Sequence, residues 1–218
     1  MPRARAVTPA EIETEQRTAL RRFRTWRRFH DGPRSGPGPL LSAVGRYPQA
    51  VLVAGCQRSG TTMLTRIIAR SPGFRYLSLT NDDELDAALA LCGRIELPAH
   101  ARYCFQTTYL NERYYEYKIL SQDHRLVWVL RNPYSVVYSM VYNWKRFALN
   151  ELYQACCVAA MSGTKRSTLP WPLGPSSFEK ACEAYAAKTA QIMTIRALVP
   201  AAQLLVIGDS DNDTRAAR

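Results

Sequence analysis

The sequence lacks the cysteine and histidine patterns that hold metals, and it lacks long hydrophobic runs. Its six cysteines form no CxxC pair and its three histidines lie scattered between them, which argues against a zinc site. The apolar runs, such as those at residues 50–55 and 126–130, are far too short to cross a bilayer, and no apolar signal-peptide core follows the basic start. We therefore expect a cytoplasmic protein without a transmembrane segment, whose cysteines are free thiols.

The composition is that of a folded protein with an excess of positive charge. A chain of 218 residues with 47% hydrophobic content can bury a core without disulfides or a metal, and one main domain is expected. The formal net charge is +11, and 24 of the 29 basic residues are arginine. Arginine suits phosphate and sulfate oxygens, so an anionic partner is one interpretation. A genome bias toward arginine codons would give the same composition.

Residues 1–38 differ from the rest of the chain and are interpreted as a basic N-terminal arm preceding a domain at 39–218. The arm has nine arginines against four acidic residues and ends in a stretch rich in glycine and proline. One interpretation is contact with acidic lipid or nucleic acid. We favour the other, a helix packed on the main domain, so no nucleic-acid partner is expected. The apolar face of that helix would consist of Leu20, Phe23, Trp26 and Phe29.

From residue 49 onward, strand and helix patterns alternate, which predicts an α/β domain. The fold expected is a three-layer sandwich with a central, mainly parallel sheet, because residues 125–130 are apolar at nearly every position. Strands are predicted at 50–55, 103–107, 125–130 and 204–207, and helices at 83–91, 109–120, 133–147 and 178–198. The helix after the first strand is expected to bury Met63, Leu64, Ile67 and Ile68.

The strongest local motif is the run GCQRSGTT at residues 55–62, between a buried strand and a helix. Its glycines have the spacing of a Walker A loop, in which backbone N–H groups and a helix N-terminus bind phosphate. The lysine that would follow Gly60 is replaced by Thr61, and the one cation of the loop is Arg58. The motif therefore predicts an anion site that lacks the lysine with which an ATPase binds the β- and γ-phosphates.

A second motif begins where the strand at 125–130 ends. A Walker B strand would end in an aspartate that holds Mg²⁺, but this strand is followed by Arg131, Asn132 and Pro133. Arg131 cannot bind a metal but can bind a phosphate, and Ser139 follows eight residues later. Alone, Arg131 could equally form an ion pair at a helix start. With the first loop, it predicts a second anion clamp.

Together these two motifs resemble the sulfotransferases that use 3′-phosphoadenosine-5′-phosphosulfate (PAPS), most closely the bacterial and tyrosylprotein-type members. The resemblance spans about residues 51–142 and implies a P-loop-like strand-loop-helix, PAPS as sulfate donor and no metal. It implies that Arg58 stabilises charge on the transferred group, and that Arg131 and Ser139 bind the 3′-phosphate. The 5′-phosphate would be held by four consecutive loop residues, Ser59, Gly60, Thr61 and Thr62.

This sequence has no motif that matches the ones containing the general base in the family. Cytosolic members have a histidine in the stretch that corresponds to residues 106–109, and none occurs here. Tyrosylprotein-type members use a glutamate, whose counterparts by count are Ser78 and Leu79. We choose Glu84 as the catalytic base, with Asp83 as the nearest alternative. These acids could instead be N-terminal charges of the helix at 83–91. His124 lies at the far end of its strand, and a surface position is expected.

The resemblance leaves the acceptor and the C-terminal end open. The acceptor is expected to be a small molecule or peptide with a hydroxyl or amine. An acceptor pocket would draw on Tyr103, Tyr109, Tyr114, Tyr115, Tyr117 and Trp144, although aromatic residues near a sheet are usually core. In the family, a Gly-rich segment after the last strand covers the nucleotide, and this sequence has no matching segment. We therefore expect a chain that is truncated at its C-terminus or an abbreviated gene product.

Two other functions are compatible with the motifs. One is a nucleotide kinase or NTPase with an aberrant loop, which would need Mg²⁺ and an acid such as Asp209 to hold it. The other is a non-catalytic nucleotide-binding relative that keeps the anion clamps. Magnesium dependence distinguishes the first alternative, and turnover distinguishes the second.

Overall fold

The fold is built on a sheet of six parallel strands. The computed structural model describes residues 6–23, 25–80, 82–98, 101–156 and 172–208. The strands are β1 (Ala6–Val7), β2 (Val51–Gly55), β3 (Phe74–Leu77), β4 (Arg102–Gln106), β5 (Arg125–Val129) and β6 (Leu204–Ile207). They lie in the order β1-β3-β4-β2-β5-β6. Every pairing is parallel, which confirms the predicted α/β class.

Helices flank this sheet and give the three-layer arrangement. They are α1 (Thr14–Arg22), α2 (Trp26–Phe29), α3 (Thr61–Ala69), α4 (Asp83–Leu91), α5 (Pro133–Tyr142), α6 (Arg146–Ala155) and α7 (Ser177–Leu198). Shorter 3₁₀ segments cover Pro9–Glu11 and Val44–Arg46, a π-helical turn covers His30–Arg34, and two 3₁₀ segments that meet at Asn111 cover Thr108–Ile119. None of the helices in the described part of the chain is long and apolar enough to span a membrane.

Side chains of the central strands point alternately to the two faces of the sheet, so the hydrophobic core has a part on each face. Val53 and Val127 are buried on the face covered by α3. Leu52 and Trp128 point to the opposite face and join the core that includes α4. Successive side chains of a strand point to opposite faces, so strands buried on both must be apolar throughout. This pattern places β2 and β5 at the centre of the sheet.

Gly55 ends β2 at a position where the chain tolerates no side chain. Its φ is +137°, and a Cβ atom there would lie 2.4 Å from the carbonyl oxygen of Val129 in the neighbouring strand β5. Glycine is therefore required both by the backbone conformation and by the close approach of the two strands. The loop at residues 55–62, called the anion loop after the site predicted for it, begins at this point, at the carboxyl end of the sheet.

The N-terminal segment packs into the main core. Val7 in β1 pairs with Leu77 in β3 and extends the sheet at its edge. Leu20, Phe23 and Phe29 are buried in the same hydrophobic cluster as the central strands. The helical part of the arm is therefore packed on the domain, as we favoured, with most of its arginines in solvent.

Several expectations about local structure were wrong. Of the expected stripe of α3, Leu64 and Ile68 do pack against the sheet. Met63 and Ile67 are instead 66% and 58% exposed, because the small residues Thr65 and Ala69 face the sheet in their place. The helix predicted at 133–147 divides into α5 and α6, without a glycine or proline at the break to signal it. His124 is buried rather than at the surface, since Ser121 N donates to its Nδ1 at 3.0 Å and its Nε2 lies 3.2 Å from the carbonyl oxygen of Tyr47. Strands β1 and β3 were not predicted, and the helix predicted at 109–120 forms as two 3₁₀ segments.

Candidate active site

The residues predicted to bind the donor converge on one cavity at the carboxyl ends of β2 and β5. This cavity, called the anion cavity after the ligand predicted for it, has a volume of about 350 Å³. Its lining includes six of the seven predicted binding residues, Arg58, Gly60, Thr61, Thr62, Arg131 and Ser139. Ser59 is buried in the loop below them, and its hydroxyl has no hydrogen-bond partner within the described residues. In parallel α/β sheets ligands bind outside the carboxyl ends of the strands, so this is the expected place for a site.

The backbone of the loop is shaped for an anion. Gly60 is the N-cap of α3 in the left-handed conformation, with φ +94°, and no side chain caps the helix. A Cβ at Gly60 would meet no atom within 4 Å, and Gly60, Thr61 and Thr62 line the cavity, so the helix N-terminus borders open space. Uncapped N–H groups at the start of a helix, with the positive end of its dipole, bind phosphate and sulfate.

Two arginines meet at the rim of this cavity. Arg58 has a positive φ of 72°, and its Nε donates to Ser139 Oγ at 3.0 Å. Arg131 Nη1 lies 3.4 Å from the backbone carbonyl oxygen of Arg58, a long and weak hydrogen bond. The carbonyl oxygen of Arg131 accepts a hydrogen bond from Tyr185 on α7 at 2.7 Å. Ser139 therefore bonds to Arg58, whereas the resemblance assigned it to the 3′-phosphate together with Arg131.

Asn132 explains why the second motif places Arg131 at this edge. Its Oδ1 accepts a hydrogen bond from Tyr134 N at 2.9 Å, and Pro133 occupies the first position of α5. A side-chain cap followed by proline is a strong helix start, so the chain turns immediately after β5. Arg131 is thereby held between the strand end and the helix.

Glu84 lies where the anion cavity meets a second, larger cavity, and it lines both. Its carboxylate accepts hydrogen bonds from the Thr108 hydroxyl and, at 3.2 Å, from Gln106 Nε2. Burial raises the pKa of this carboxyl to about 7, although the Thr108 hydrogen bond opposes the shift. A carboxyl that titrates near neutral pH can act as a general base.

The neighbouring acids have other roles. Asp83 forms an ion pair with Arg66 of α3 at 2.6 Å and lines neither cavity. Asp82 is the N-cap of α4, where its Oδ1 accepts from Glu84 N at 3.1 Å, and its Oδ2 accepts from Trp26 Nε1 at 2.7 Å. The first turn of α4 is therefore acidic, as the structural alternative expected, but Glu84 also faces both cavities.

The second cavity has a volume of about 450 Å³, and polar and charged residues line it together with four aromatic ones, Trp26, Tyr109, Trp144 and Phe147. It is called the aromatic cavity after these four residues. Of the six aromatic residues predicted for an acceptor pocket, Tyr109 and Trp144 line it. Tyr103 and Tyr117 are buried in the core, and Tyr114 and Tyr115 line neither of the two cavities. The N-terminal segment contributes Trp26, His30 and Arg34 to the wall.

Sequence reasoning missed the polar residues that hold this junction together. They are Gln57, Gln106, Thr108, Asn111 and Lys188. Gln106 had a signal, because a polar residue at the carboxyl end of a buried strand faces the ligand edge of the sheet. Lys188 had none, because it lies on a helix 80 residues away in sequence from Thr108, the residue it contacts.

The described ranges contain no group of three or more histidine, cysteine, aspartate or glutamate residues placed to hold a metal ion. Asp209, the magnesium ligand that an NTPase would need, lies outside the described residues. The five cysteines within the described ranges are free thiols.

Comparisons with protein-family models, with curated proteins and with solved structures found no match to this chain.

Proposed function

We propose that this protein is a cytoplasmic sulfotransferase that moves a sulfuryl group from PAPS to a hydroxyl or amine without a metal. The observation that carries the proposal is the position of Glu84, which lines both the anion cavity and the aromatic cavity. A base at the junction of two cavities suits a transfer between two bound molecules, because it reaches the acceptor next to the donor.

The residues of the anion cavity suit the two phosphate groups of this donor. The open N-terminus of α3 and the hydroxyls of Thr61 and Thr62 would hold the 5′-phosphate, and Arg131 would bind the 3′-phosphate. The donor, when bound, supplies an activated sulfuryl group. Arg58, fixed by its hydrogen bond to Ser139, lies at the same rim and is exposed enough to contact an anion.

Arg58 would contribute through electrostatic stabilisation. Sulfuryl transfer resembles phosphoryl transfer, in which catalysis comes mainly from positioning and from cations placed where negative charge develops. The guanidinium of Arg58 is held in place before the reaction, so it does not have to reorganise during it.

Glu84 would accept the proton that the acceptor loses. Its hydrogen bonds from Thr108 and Gln106 fix the carboxylate, and the aromatic cavity holds the acceptor against it. Because burial raises the pKa of Glu84 to about 7, the ionised form is available at neutral pH and is still basic enough to take a proton.

The proposal is tested first by calorimetric titration with 3′-phosphoadenosine-5′-phosphate, compared with ATP in the presence and absence of Mg²⁺. We expect tight binding of the bisphosphate that does not depend on the metal. Binding of Mg-ATP alone would replace the proposal with the kinase or NTPase alternative. Binding of the bisphosphate without turnover of PAPS, across a panel of phenols, alcohols and amines, would favour the non-catalytic relative.

A further inference from the structure

The buried lysine of α7 touches the polar network beneath Glu84. Lys188 is 2% exposed, and its Nζ donates to the carbonyl oxygen of Thr108 at 3.0 Å and to Asn111 Oδ1 at 3.2 Å. Burial lowers the pKa of its ammonium. A buried ammonium is costly, so its presence needs compensating hydrogen bonds and a reason specific to this place.

The same two acceptors are bonded from the anion loop. Gln57 Nε2 donates to the Thr108 carbonyl oxygen at 3.1 Å and to Asn111 Oδ1 at 2.9 Å. Lys188 and Gln57 therefore hold one short turn from two sides. The turn is strained, since Asn111 has φ +44° and ψ −109°, which is unusual for a residue with a side chain.

The turn in question carries the hydroxyl that orients Glu84. Thr108 presents its carbonyl oxygen to Lys188 and Gln57 and its hydroxyl to the Glu84 carboxylate. Any movement of this turn changes the contact to the carboxylate. The turn itself is fixed by Lys188 from the helix side and by the anion loop from the donor side.

We infer that Lys188 is a positioning residue for Glu84, acting through the Thr108–Asn111 turn, and that Gln57 ties the same turn to the anion loop. The inference rests on the proposed function only in calling Glu84 a base. Because Gln57 belongs to the anion loop, the conformation of Glu84 would depend on the loop that is proposed to hold the donor.

Several other groups influence the ionisation of Glu84. Asp82 raises the pKa of this carboxyl through charge repulsion, while the Lys188 ammonium and a hydrogen bond from the backbone of Tyr109 lower it. The buried phenols of Tyr109 and Tyr117 also lie within electrostatic range. Of these groups, Lys188 is the cation, so its removal has a defined sign: the pKa of Glu84 must rise.

The chain offers a matched control on the same helix. Lys180 is likewise 2% exposed, and its Nζ donates to Asn150 Oδ1 at 3.1 Å. Burial lowers the pKa of Lys180 as well. Lys188→Met and Lys180→Met therefore each remove an ammonium group of low solvent exposure from one helix, two turns apart. The Lys188 group lies deeper in the protein, and of the two only Lys188 touches the turn beneath Glu84.

The experiment is a carboxyl ¹³C NMR titration of the full chain labelled at glutamate, in which the Glu84 signal is identified by its loss in Glu84→Gln. We expect the Glu84 midpoint to rise by about one pH unit in Lys188→Met and to stay unchanged in Lys180→Met. An unchanged midpoint in Lys188→Met, or an equal shift in both variants, would overturn the inference. Because the titration needs no turnover, its result is independent of whether the protein proves to be a sulfotransferase.

A second variant tests the route and replaces the first where Lys188→Met does not fold. Thr108→Val removes the hydroxyl that donates to Glu84 and keeps the backbone carbonyl that Lys188 contacts, so the Glu84 midpoint should rise again. In the double variant the combined shift should be smaller than the sum of the two, since the part of the Lys188 effect that passes through the turn acts on the Thr108 contact and only the direct effect of the charge remains to add. Additive shifts, or no shift in Thr108→Val, would contradict positioning through the turn.

Discussion

At the scale of single residues, Arg58 and Glu84 divide the proposed chemistry between them. We predict that Arg58→Ala lowers kcat by about 100- to 1000-fold, as the loss of one oxyanion donor does in other enzymes. The fold should persist, because the side chain is exposed and its partner is a single serine hydroxyl. Steady-state kinetics and thermal unfolding measure both effects. Arg70→Ala, at the far end of α3 and outside both cavities, is the control and should keep its kcat.

Glu84 gives a prediction about stability that does not depend on an acceptor. Since burial raises its pKa from 4.5 to about 7, the folded state holds the proton more tightly than the unfolded state. Raising the pH from 4.5 through 7 must therefore cost stability, and Glu84→Gln, which cannot ionise, should gain up to about 3 kcal/mol over the wild type across that window.

Urea unfolding of both proteins at pH 5 and pH 8 measures this difference. Glu179→Gln is the control, because hydrogen bonds to Ser176 lower the pKa of Glu179, so its carboxylate is largely ionised in the folded and the unfolded state at both pH values. Any change in stability in this variant should therefore be nearly the same at pH 5 and at pH 8. A gain for Glu84→Gln that is the same at both pH values would show that the Glu84 carboxyl has an ordinary pKa.

At the scale of elements, a glycine before α3 and another in the turn between α3 and β3 share a conformation but not a role. Gly60 before the helix and Gly73 after it have φ values of +94° and +83°, and a Cβ at either position would meet no atom within 4 Å. Each change to alanine should therefore cost about 1–2 kcal/mol of stability through backbone strain alone. Gly60→Ala should additionally lower the affinity for 3′-phosphoadenosine-5′-phosphate by about tenfold or more. The reason is that strain at the N-cap displaces the N–H groups that would bind the phosphate. Calorimetry on both variants separates the effects, and equal affinities would remove the loop from the anion site.

The elements also show what the sequence could and could not predict. Strand β2, the loop and α3 were predictable because their signals are local: a run buried on both faces, glycines at fixed spacing and a helix start. The face that α3 presents to the sheet was not, because Thr65 and Ala69 are less apolar than Met63 and Ile67, and tertiary packing decides between them. The hydrogen bond from Arg58 to Ser139 joins residues 81 apart, so local patterns could not assign it.

At the scale of the whole molecule, the N-terminal segment closes the aromatic cavity and completes the core. Its basic composition and its Gly- and Pro-rich end indicated an arm, because composition reports solvent-facing residues more readily than the few buried ones. The structure places Trp26, His30 and Arg34 in the cavity wall, and Arg34 pairs with Glu112 at 2.7 Å. The proposed acceptor site is therefore formed by the N-terminal segment together with residues of α6 and of the turn that precedes it.

This packing predicts that the segment contributes to global stability. Phe29 is fully buried, and its ring lies 5.6 Å from that of Trp26 and 5.9 Å from that of Tyr109. Phe29→Ala should cost about 3–5 kcal/mol and shift one cooperative unfolding transition as a whole. Arg27→Ala is the control from the same short helix, since its side chain is almost fully exposed, and it should stay within about 0.5 kcal/mol of the wild type. A loss below about 1 kcal/mol for Phe29→Ala, or a separate early transition, would mean that the segment folds as an appendage, because a side chain in the shared core cannot be truncated without destabilising the whole domain.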